Sequence, residues 1–306
     1  MSDPAVSVVV ATYNHGRWLG DAIASVRAQT LADWELLVAD DGSTDDTAAV
    51  VASSGDSRVR YLPGVRVERA AARNRGIAAA RGELVAFLDA DDAWRPDKLA
   101  RQVAALAAAP DAAGCYSVAR FVDPAGRVLP LVKPTQVPSG RLFPRLVRGN
   151  FIILASMIVR RRCLDAVGGF DATLPVYGCE DWDLWLRLAR RWGIVGVPEE
   201  LVRYRQHDAN TRPEQVMASG LAVLDRLYAH PGVEAEAGMG LAAARARHVW
   251  YHAAIVAGER RAAALPLVAR ALREHPTTLF SRPAAGALAA LGLPRVLERG
   301  LRALPI

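Results

Sequence analysis

Residues 82 to 94 read GELVAFLDADDAW, so three carboxylates, Asp89, Asp91 and Asp92, follow directly on an apolar run. Such a cluster repels itself in water. In an extended strand Asp89 and Asp91 fall at i and i+2 on one face, and two converging carboxylates either share a proton or bind a cation. Hard oxygen ligands at a strand end suit Mg²⁺ or Mn²⁺, which keep open positions for a substrate's phosphates. The alternative is a solvated loop in which Asp92 caps the helix starting near Pro96; Asp92 is read as structural rather than as a ligand. A second acidic pair, Glu180 and Asp181, opens EDWDLWLRLARRWG. Helical spacing puts Asp181 on one stripe with Trp185, Leu188 and Trp192, facing the core, and Glu180 with Asp183, Arg187 and Arg191. Asp183 and Arg187 form an ordinary i, i+4 pair without chemistry.

The elements that must position these groups are legible from periodicity. VSVVVA at residues 6 to 11 is a short β-branched run, the mark of a parallel strand buried on both faces. A helix follows to about Arg27 with Trp18, Leu19, Ala22, Ile23 and Val26 at helical spacing, and Trp18, Trp34, Trp94 and Trp192 are assigned to the core. WELLVADDGS gives a second buried strand, DDTAAVVASS a second helix, RVRYL an edge strand, and ERAAARNRGIAAARG a helix closed by Gly82. ELVAFLDADD is the third strong strand. This alternation predicts a doubly wound, mostly parallel α/β sheet, whose ligands gather at the carboxyl ends of its strands. FIILASMIVRR returns to the sheet as a strand, followed by a short helix to Val167 and the Gly168-Gly169 turn. From about Glu214 the composition turns to Ala, Leu, Arg and Glu with helical spacing. The expected division is a catalytic domain over 1–212 and a helical appendage over 213–306, in which residues 248 to 276 form a helical hairpin.

Three stretches, VSVVVATYNHGRWLGDAIASVRAQTLADWELLVADDGSTDDT, AARNRGIAAARGELVAFLDADDAWRPDKL and VGGFDATLPVYGCEDWDLWLRLA, resemble in order the signatures of family 2 glycosyltransferases with the GT-A fold. The resemblance runs over about residues 5 to 207 and rests on several motifs in sequence. It implies inverting transfer of a sugar from a nucleotide diphosphate sugar, with UDP as the family-level expectation. Ala11, Thr12, Tyr13 and Asn14 would contact base and ribose, and Asp41 the base. Asp89 and Asp91 would face ribose, Mg²⁺ or Mn²⁺, and diphosphate. An inverting transfer needs a base for the acceptor hydroxyl, and Asp181 is the candidate; the other reading of Glu180 or Asp181 is an N-terminal cap. His207, in LVRYRQHDANT, matches a position where the family often has a His near metal and diphosphate, and is otherwise a loop residue. Arg73, in AARNRG, either pairs with the diphosphate or belongs to an exposed helix face with Arg69 and Arg75. His15 lies in the first loop, within reach of a donor. The other four histidines carry no site argument.

Composition removes other classes. The formal charge of +6 is almost all arginine, since only Lys98 and Lys133 are lysines, and no basic block interleaves with aromatics, so no nucleic-acid partner is expected. Cys115, Cys163 and Cys179 lack zinc-site spacing and are assigned to packing in a reducing compartment. The N-terminus reads as the first strand rather than a signal peptide, and no window is apolar enough to span a membrane. A cytoplasmic protein is expected, either free or peripheral at the inner face of the membrane. LFSRPAAGALAALGLPRVLERGLRALPI either lies on anionic lipid beside a lipid-linked acceptor or packs on the catalytic domain or another subunit. The oligomeric state is open, and the acceptor is expected to be a hydroxyl of a glycan, a lipid-linked glycan or a small molecule.

A receiver domain would end its first strand in the acid pair, a haloacid-type phosphatase would want Thr or Val at residue 93, and a nucleotidyltransferase would need a basic Gly-rich loop after the first strand. None fits. The remaining rival is a non-catalytic nucleotide-sugar or glycan binding subunit, which would have no use for Asp181.

Overall fold

A computed structural model describes residues 3–174, 178–207, 213–259 and 261–291. In chain order the elements are β1 (Val6–Thr12), α1 (Gly16–Arg27), β2 (Trp34–Asp40), α2 (Thr47–Ala52), β3 (Val59–Leu62) and α3 (Arg69–Ala79). Next come β4 (Leu84–Asp89), β5 (Ala93–Trp94), α4 (Lys98–Ala107), β6 (Ala112–Val122), β7 (Val128–Lys133), α5 (Phe143–Val147), β8 (Ile158–Arg160) and α6 (Arg161–Val167). The chain continues through α7 (Glu180–Arg191), β9 (Gly193–Arg205), α8 (Pro213–Tyr228), α9 (Val233–Ala237), α10 (Leu241–Glu259), α11 (Arg261–Glu274) and α12 (Arg282–Ala290). Two compact units result. The first holds Met1–Leu142, Phe151–Thr173 and Leu184–Asn210; the second holds Phe143–Asn150, Leu174–Asp183 and Thr211–Ile306.

The first unit is built on one sheet, in the order β3-β2-β1-β4-β8-β6-β9-β5, with β7 paired to β6. β3, β2, β1 and β4 run parallel, as do β6 and β9, while β8 is antiparallel to both β4 and β6. β2 is buried at every position, as its unbroken apolar run requires. On α1, Leu19, Ala22, Ile23 and Val26 are buried against this sheet, but Trp18 is only half-buried and Trp192 likewise, so neither belongs to the core. Of FIILASMIVRR only Ile158–Arg160 is strand; a 3₁₀ turn at Leu154–Ser156 precedes it. α3 ends before Gly82, whose N–H donates to Ser7 Oγ at 2.8 Å instead of closing a helix. The three cysteines are buried thiols, joined in no disulfide among the described residues.

The amino ends of the central strands close around Glu35, 2 % exposed. Its Oε1 accepts from Ser7 Oγ and the Arg81 N–H, both at 2.8 Å, and its Oε2 from Arg60 Nη1 at 2.9 Å. Burial alone would raise its pKa; these donors outweigh burial and hold it below the ordinary value.

Lys98 is wholly buried in the first turn of α4, with Nζ 4.0 Å from the Trp94 ring centroid and donating to Gln102 Oε1 at 2.6 Å. Burial pushes its pKa down to about 7. The unfolded chain therefore holds more protons than the native one between about pH 7 and the ordinary lysine value, and stability rises with pH across that window. Lys98→Met is expected to gain about 2 kcal/mol at pH 6, net of the stranded Gln102 oxygen. The gain should shrink toward pH 10, and denaturant melts of both proteins across that range check it; a gain that stays constant with pH would discard the titration account.

In the second unit, α10 and α11 pair around Trp250, Ala253 and Ala271, which is the hairpin expected for residues 248 to 276. The first turn of α7 also belongs to this unit. Trp182 there donates from Nε1 to the Leu146 carbonyl at 2.8 Å and stacks on His248 at 5.3 Å. Burial pushes His248 down to about 4 and His252 to about 3, so both rings are neutral in the native protein. Among the described residues no helix is long and apolar enough to cross a membrane. Of the tail assigned to lipid or packing, residues 292–306 lie outside those described.

Candidate active site

The carboxyl ends of β1, β2 and β4 bring together most of the residues singled out by motif. Thr12 is buried and its carbonyl accepts the Asp41 N–H at 2.8 Å, which ties the ends of β1 and β2. Ala11 is half-buried beside it. Asn14 takes a positive φ of 53°; its N–H donates to Ser43 Oγ at 2.9 Å and its Oδ1 accepts from the Thr44 N–H at 2.8 Å. These bonds fix the loop after β1 to the loop after β2. Gly16 starts α1 where a Cβ would lie 1.9 Å from Asp46 Oδ1, so a larger residue would have to displace the Asp46 carboxylate.

Asp41 is 2 % exposed and accepts from Arg66 Nη1 at 2.7 Å and from the N–H groups of Val67 at 2.8 Å and Glu68 at 3.0 Å. The Arg66 guanidinium also lies 3.8 Å from the centroid of the Tyr13 ring. Tyr13 and Asp41, assigned to the base, are thus joined by one arginine. Asp40, one residue earlier, is structural. It accepts from Ser43 and from the Tyr61 hydroxyl, and burial and this contact push Tyr61 up to about 12.

β4 ends at Asp89, and a turn follows in which the Asp92 N–H donates to the Asp89 carbonyl at 3.1 Å. Asp89 and Asp91 therefore do not sit on one face of an extended strand, and each has its own partner. Asp89 Oδ1 accepts from Arg73 Nη2 at 2.8 Å, and Arg73 is 5 % exposed, which rules out an exposed helix face. Burial, opposed by Arg73 and helped by Asp91, leaves Asp89 raised. Asp91 Oδ2 meets His207 Nε2 at 2.8 Å. Burial would raise Asp91, but His207 and the nearby His15 outweigh it and lower its pKa. Asp92 caps no helix. Its Oδ1 accepts from the Arg205 N–H at 2.8 Å, its Oδ2 has no hydrogen-bond partner among the described residues, and burial next to Asp91 and Asp89 pushes it well above the carboxylate range.

Arg205 ties this turn to β9: Nε donates to the Asp91 carbonyl at 2.8 Å and Nη2 to Asp21 Oδ2 at 3.0 Å. Trp18 stacks on His207, with centroids 4.2 Å apart and planes at 26°. His15, Asp91 and His207 each offer a ligand atom, and these lie within 4.8 Å of one another. A carboxylate with imidazoles at this spacing suits a divalent cation.

Asp181 lies in the first turn of α7, in the second unit. Its Oδ1 accepts from the Trp182 N–H at 2.7 Å and its Oδ2 from Asn150 Nδ2 at 3.1 Å. Trp185 and Leu188, on its stripe, are fully buried. Arg187, assigned no chemistry, donates to the carbonyls of Val167 and Gly169 at 2.7 Å. Asn74 clamps the Phe170 backbone after the Gly-Gly turn, at 2.8 and 2.9 Å. Sequence reasoning missed Arg66, Arg205 and the site role of Trp18. For Arg205 a signal existed, since it precedes His207 by two residues in RYRQH and an extended chain puts both on one side.

The sequence profile described as Glycosyl transferase family 2 matches residues 7–164. The chain is 44 % identical over 101 residues to an uncharacterized glycosyltransferase of Nostoc, covering 32 % of this chain and 31 % of that one. It is 30 % identical over 198 residues to the Escherichia coli UDP-Glc:alpha-D-GlcNAc-diphosphoundecaprenol beta-1,3-glucosyltransferase WfgD, covering 64 % of this chain and 74 % of that protein. The chain spans about a third of the Nostoc relative and 19 % of O-antigen biosynthesis protein RfbC of Myxococcus xanthus. Among solved structures, Staphylococcus aureus TarS 1–349 with UDP-GlcNAc superposes with a TM-score of 0.65 at 17 % identity, over 99 % of this chain and 92 % of that one. The mannosyltransferase PcManGT of Pyrobaculum calidifontis, with GDP-Man and Mn²⁺, gives 0.60 at 19 % identity over 95 % and 86 %. The fold is that of the GT-A enzymes, and with the profile and the WfgD relationship in hand the chain belongs to family 2 of the glycosyltransferases.

Proposed function

We propose that this protein transfers a sugar, with inversion, from a nucleoside diphosphate sugar to a hydroxyl of a glycan or lipid-linked acceptor. The observation that carries the proposal is the convergence of Tyr13 with Asp41, Arg73 with Asp89, and Asp91 with His207 at the carboxyl ends of β1, β2 and β4. Tyr13 and Asp41 receive the base, for which uracil is the family-level choice, and Ala11 to Asn14 shape the ribose side. Arg73 brings a buried guanidinium to the diphosphate, while its partner Asp89 faces the ribose and metal side. A divalent ion, Mg²⁺ or Mn²⁺, would be held by Asp91 and His207 and would supply positive charge for the departing diphosphate. Asp181 takes the proton from the acceptor hydroxyl. The WfgD name specifies a diphosphoundecaprenol-linked acceptor, and an acceptor of that kind would put this protein in the cytoplasm at the inner face of the membrane.

A panel of UDP-, GDP- and other nucleotide sugars tested by thermal shift with and without Mn²⁺ is the direct check. The true donor, at about a hundred times its Kd, should raise the unfolding midpoint by roughly 5 °C. The rise should require the metal. No metal-dependent shift with any nucleotide sugar would count against the donor reading.

A further inference from the structure

His15 occupies the N-cap position of α1, a place usually taken by Ser, Thr, Asp or Asn because a short oxygen side chain can accept from the helix's free N–H groups. His15 makes no such bond. Its Nδ1 lies 2.8 Å from the Tyr13 carbonyl oxygen instead. A carbonyl only accepts, so Nδ1 carries the hydrogen, and in the neutral ring Nε2 is then the nitrogen with a free lone pair. A backbone carbonyl holding one ring nitrogen while the other is left as a donor atom is the usual outer arrangement around metal-binding histidines.

The backbone on either side of His15 is fixed independently. Asn14 is bonded to Ser43 and Thr44, and the Gly16 N–H donates to Asp45 Oδ2 at 2.9 Å. Trp18, one turn into α1, stacks on His207 and has its ring centroid 6.0 Å from that of His15. Both imidazoles are therefore oriented before any ligand arrives, one by a carbonyl and one by an indole face. Asp89 has its charge matched by Arg73, which leaves Asp91 as the carboxylate of the trio.

We propose that His15 is a third protein ligand of the divalent ion, so that the site is a two-imidazole, one-carboxylate set of His15, Asp91 and His207 that selects Mn²⁺ and Co²⁺ over Mg²⁺. Mg²⁺ favours oxygen donors in near-ideal octahedral geometry and gives up its waters reluctantly, whereas Mn²⁺ and, more strongly, Co²⁺ accept imidazole nitrogen. Three protein ligands leave positions open for diphosphate oxygens. The inference rests on the metal-assisted donor reading above, but its test contains no donor.

Mn²⁺, Co²⁺ and Mg²⁺ are titrated separately into the full-length protein and into His15→Asn, whose side chain is a favoured N-cap and preserves the start of α1. The expected order in the wild type is Co²⁺ tighter than Mn²⁺, with Mg²⁺ at least tenfold weaker than Mn²⁺. His15→Asn should weaken Mn²⁺ by about tenfold or more. Pulsed electron paramagnetic resonance of bound Mn²⁺ should report two coordinated nitrogens in the wild type and one in the variant, and His15→Gln is the second variant should Asn disturb the fold. Unchanged Mn²⁺ affinity in a folded variant, one coordinated nitrogen in the wild type, or Mg²⁺ binding as tight as Mn²⁺ would each overturn the assignment. Metal binding as expected with no nucleotide sugar ever accepted would instead count against the transferase reading alone.

Discussion

Asp181→Asn is expected to lower the turnover of glycosyl transfer by roughly a thousandfold, within the range a positioned general base contributes, while the affinity for the nucleoside diphosphate stays within about twofold of the wild type. The substitution changes one atom and removes the only property the proposal needs, a carboxylate able to accept the hydroxyl proton. The contact Asp181 makes at the start of α7 survives. Its Oδ1 accepts from the Trp182 N–H, and the amide oxygen of Asn can do the same at the first turn of α7. The bond from Asn150 Nδ2 to Oδ2 has to be surrendered or reversed by an amide flip, at a cost of about 1 kcal/mol. A stability loss of that size leaves the protein folded. Turnover followed by release of the nucleoside diphosphate, beside calorimetry with the same nucleotide, separates chemistry from binding; undiminished turnover would falsify the base assignment.

Asp91→Ala should abolish the dependence of donor affinity on Mn²⁺, lowering affinity at saturating metal by about a hundredfold, and should do so with almost no loss of stability. Two local effects oppose each other. The His207 contact at 2.8 Å is lost. Against that, Asp91 raises the pKa of both Asp89 and Asp92, so its removal relieves two buried neighbours. The net change in stability should fall within about 1 kcal/mol. Calorimetry with and without Mn²⁺, alongside a melt of the metal-free variant, measures both halves. Equal donor affinity with and without the ion in the wild-type protein would remove the role given to Asp91.

The sheet was legible because its central strands are unbroken apolar runs. VSVVVA, WELLVAD and ELVAFLD each lack the alternation of a half-exposed strand, and each became a strand in parallel register. The failures share a cause. Whether ELVAFLDADD stays extended through Asp91 depends on a hydrogen bond from Asp92 back to Asp89, which periodicity does not encode. Gly82 sits where a C-cap could stand, but its N–H is taken by a serine 75 residues away. Trp18 fits the apolar stripe of α1, which argues for an inward position, yet its partner is His207, on a segment distant in sequence. In the site, motif spacing reached Tyr13, Asp41, Arg73, Asp89, Asp91 and His207. Arg66 escaped because its importance comes from a loop bringing it over Tyr13 and onto Asp41 at once.

The two ends of the central strands treat charge in opposite ways. At the amino ends Glu35 is surrounded by more donors than its burial requires, so that end is complete in the free protein. At the carboxyl ends Asp92 keeps an oxygen without a partner among the described residues, beside two other aspartates. In landscape terms the amino ends are minimally frustrated and the carboxyl ends are not. The sheet thus joins a satisfied amino edge to a carboxyl edge where buried Asp92 is held next to Asp89 and Asp91, and a cation arriving there relieves conflict in addition to making bonds. Substitutions that raise the stability of the free protein should accordingly accumulate at the carboxyl ends, the same places where they cost most in function.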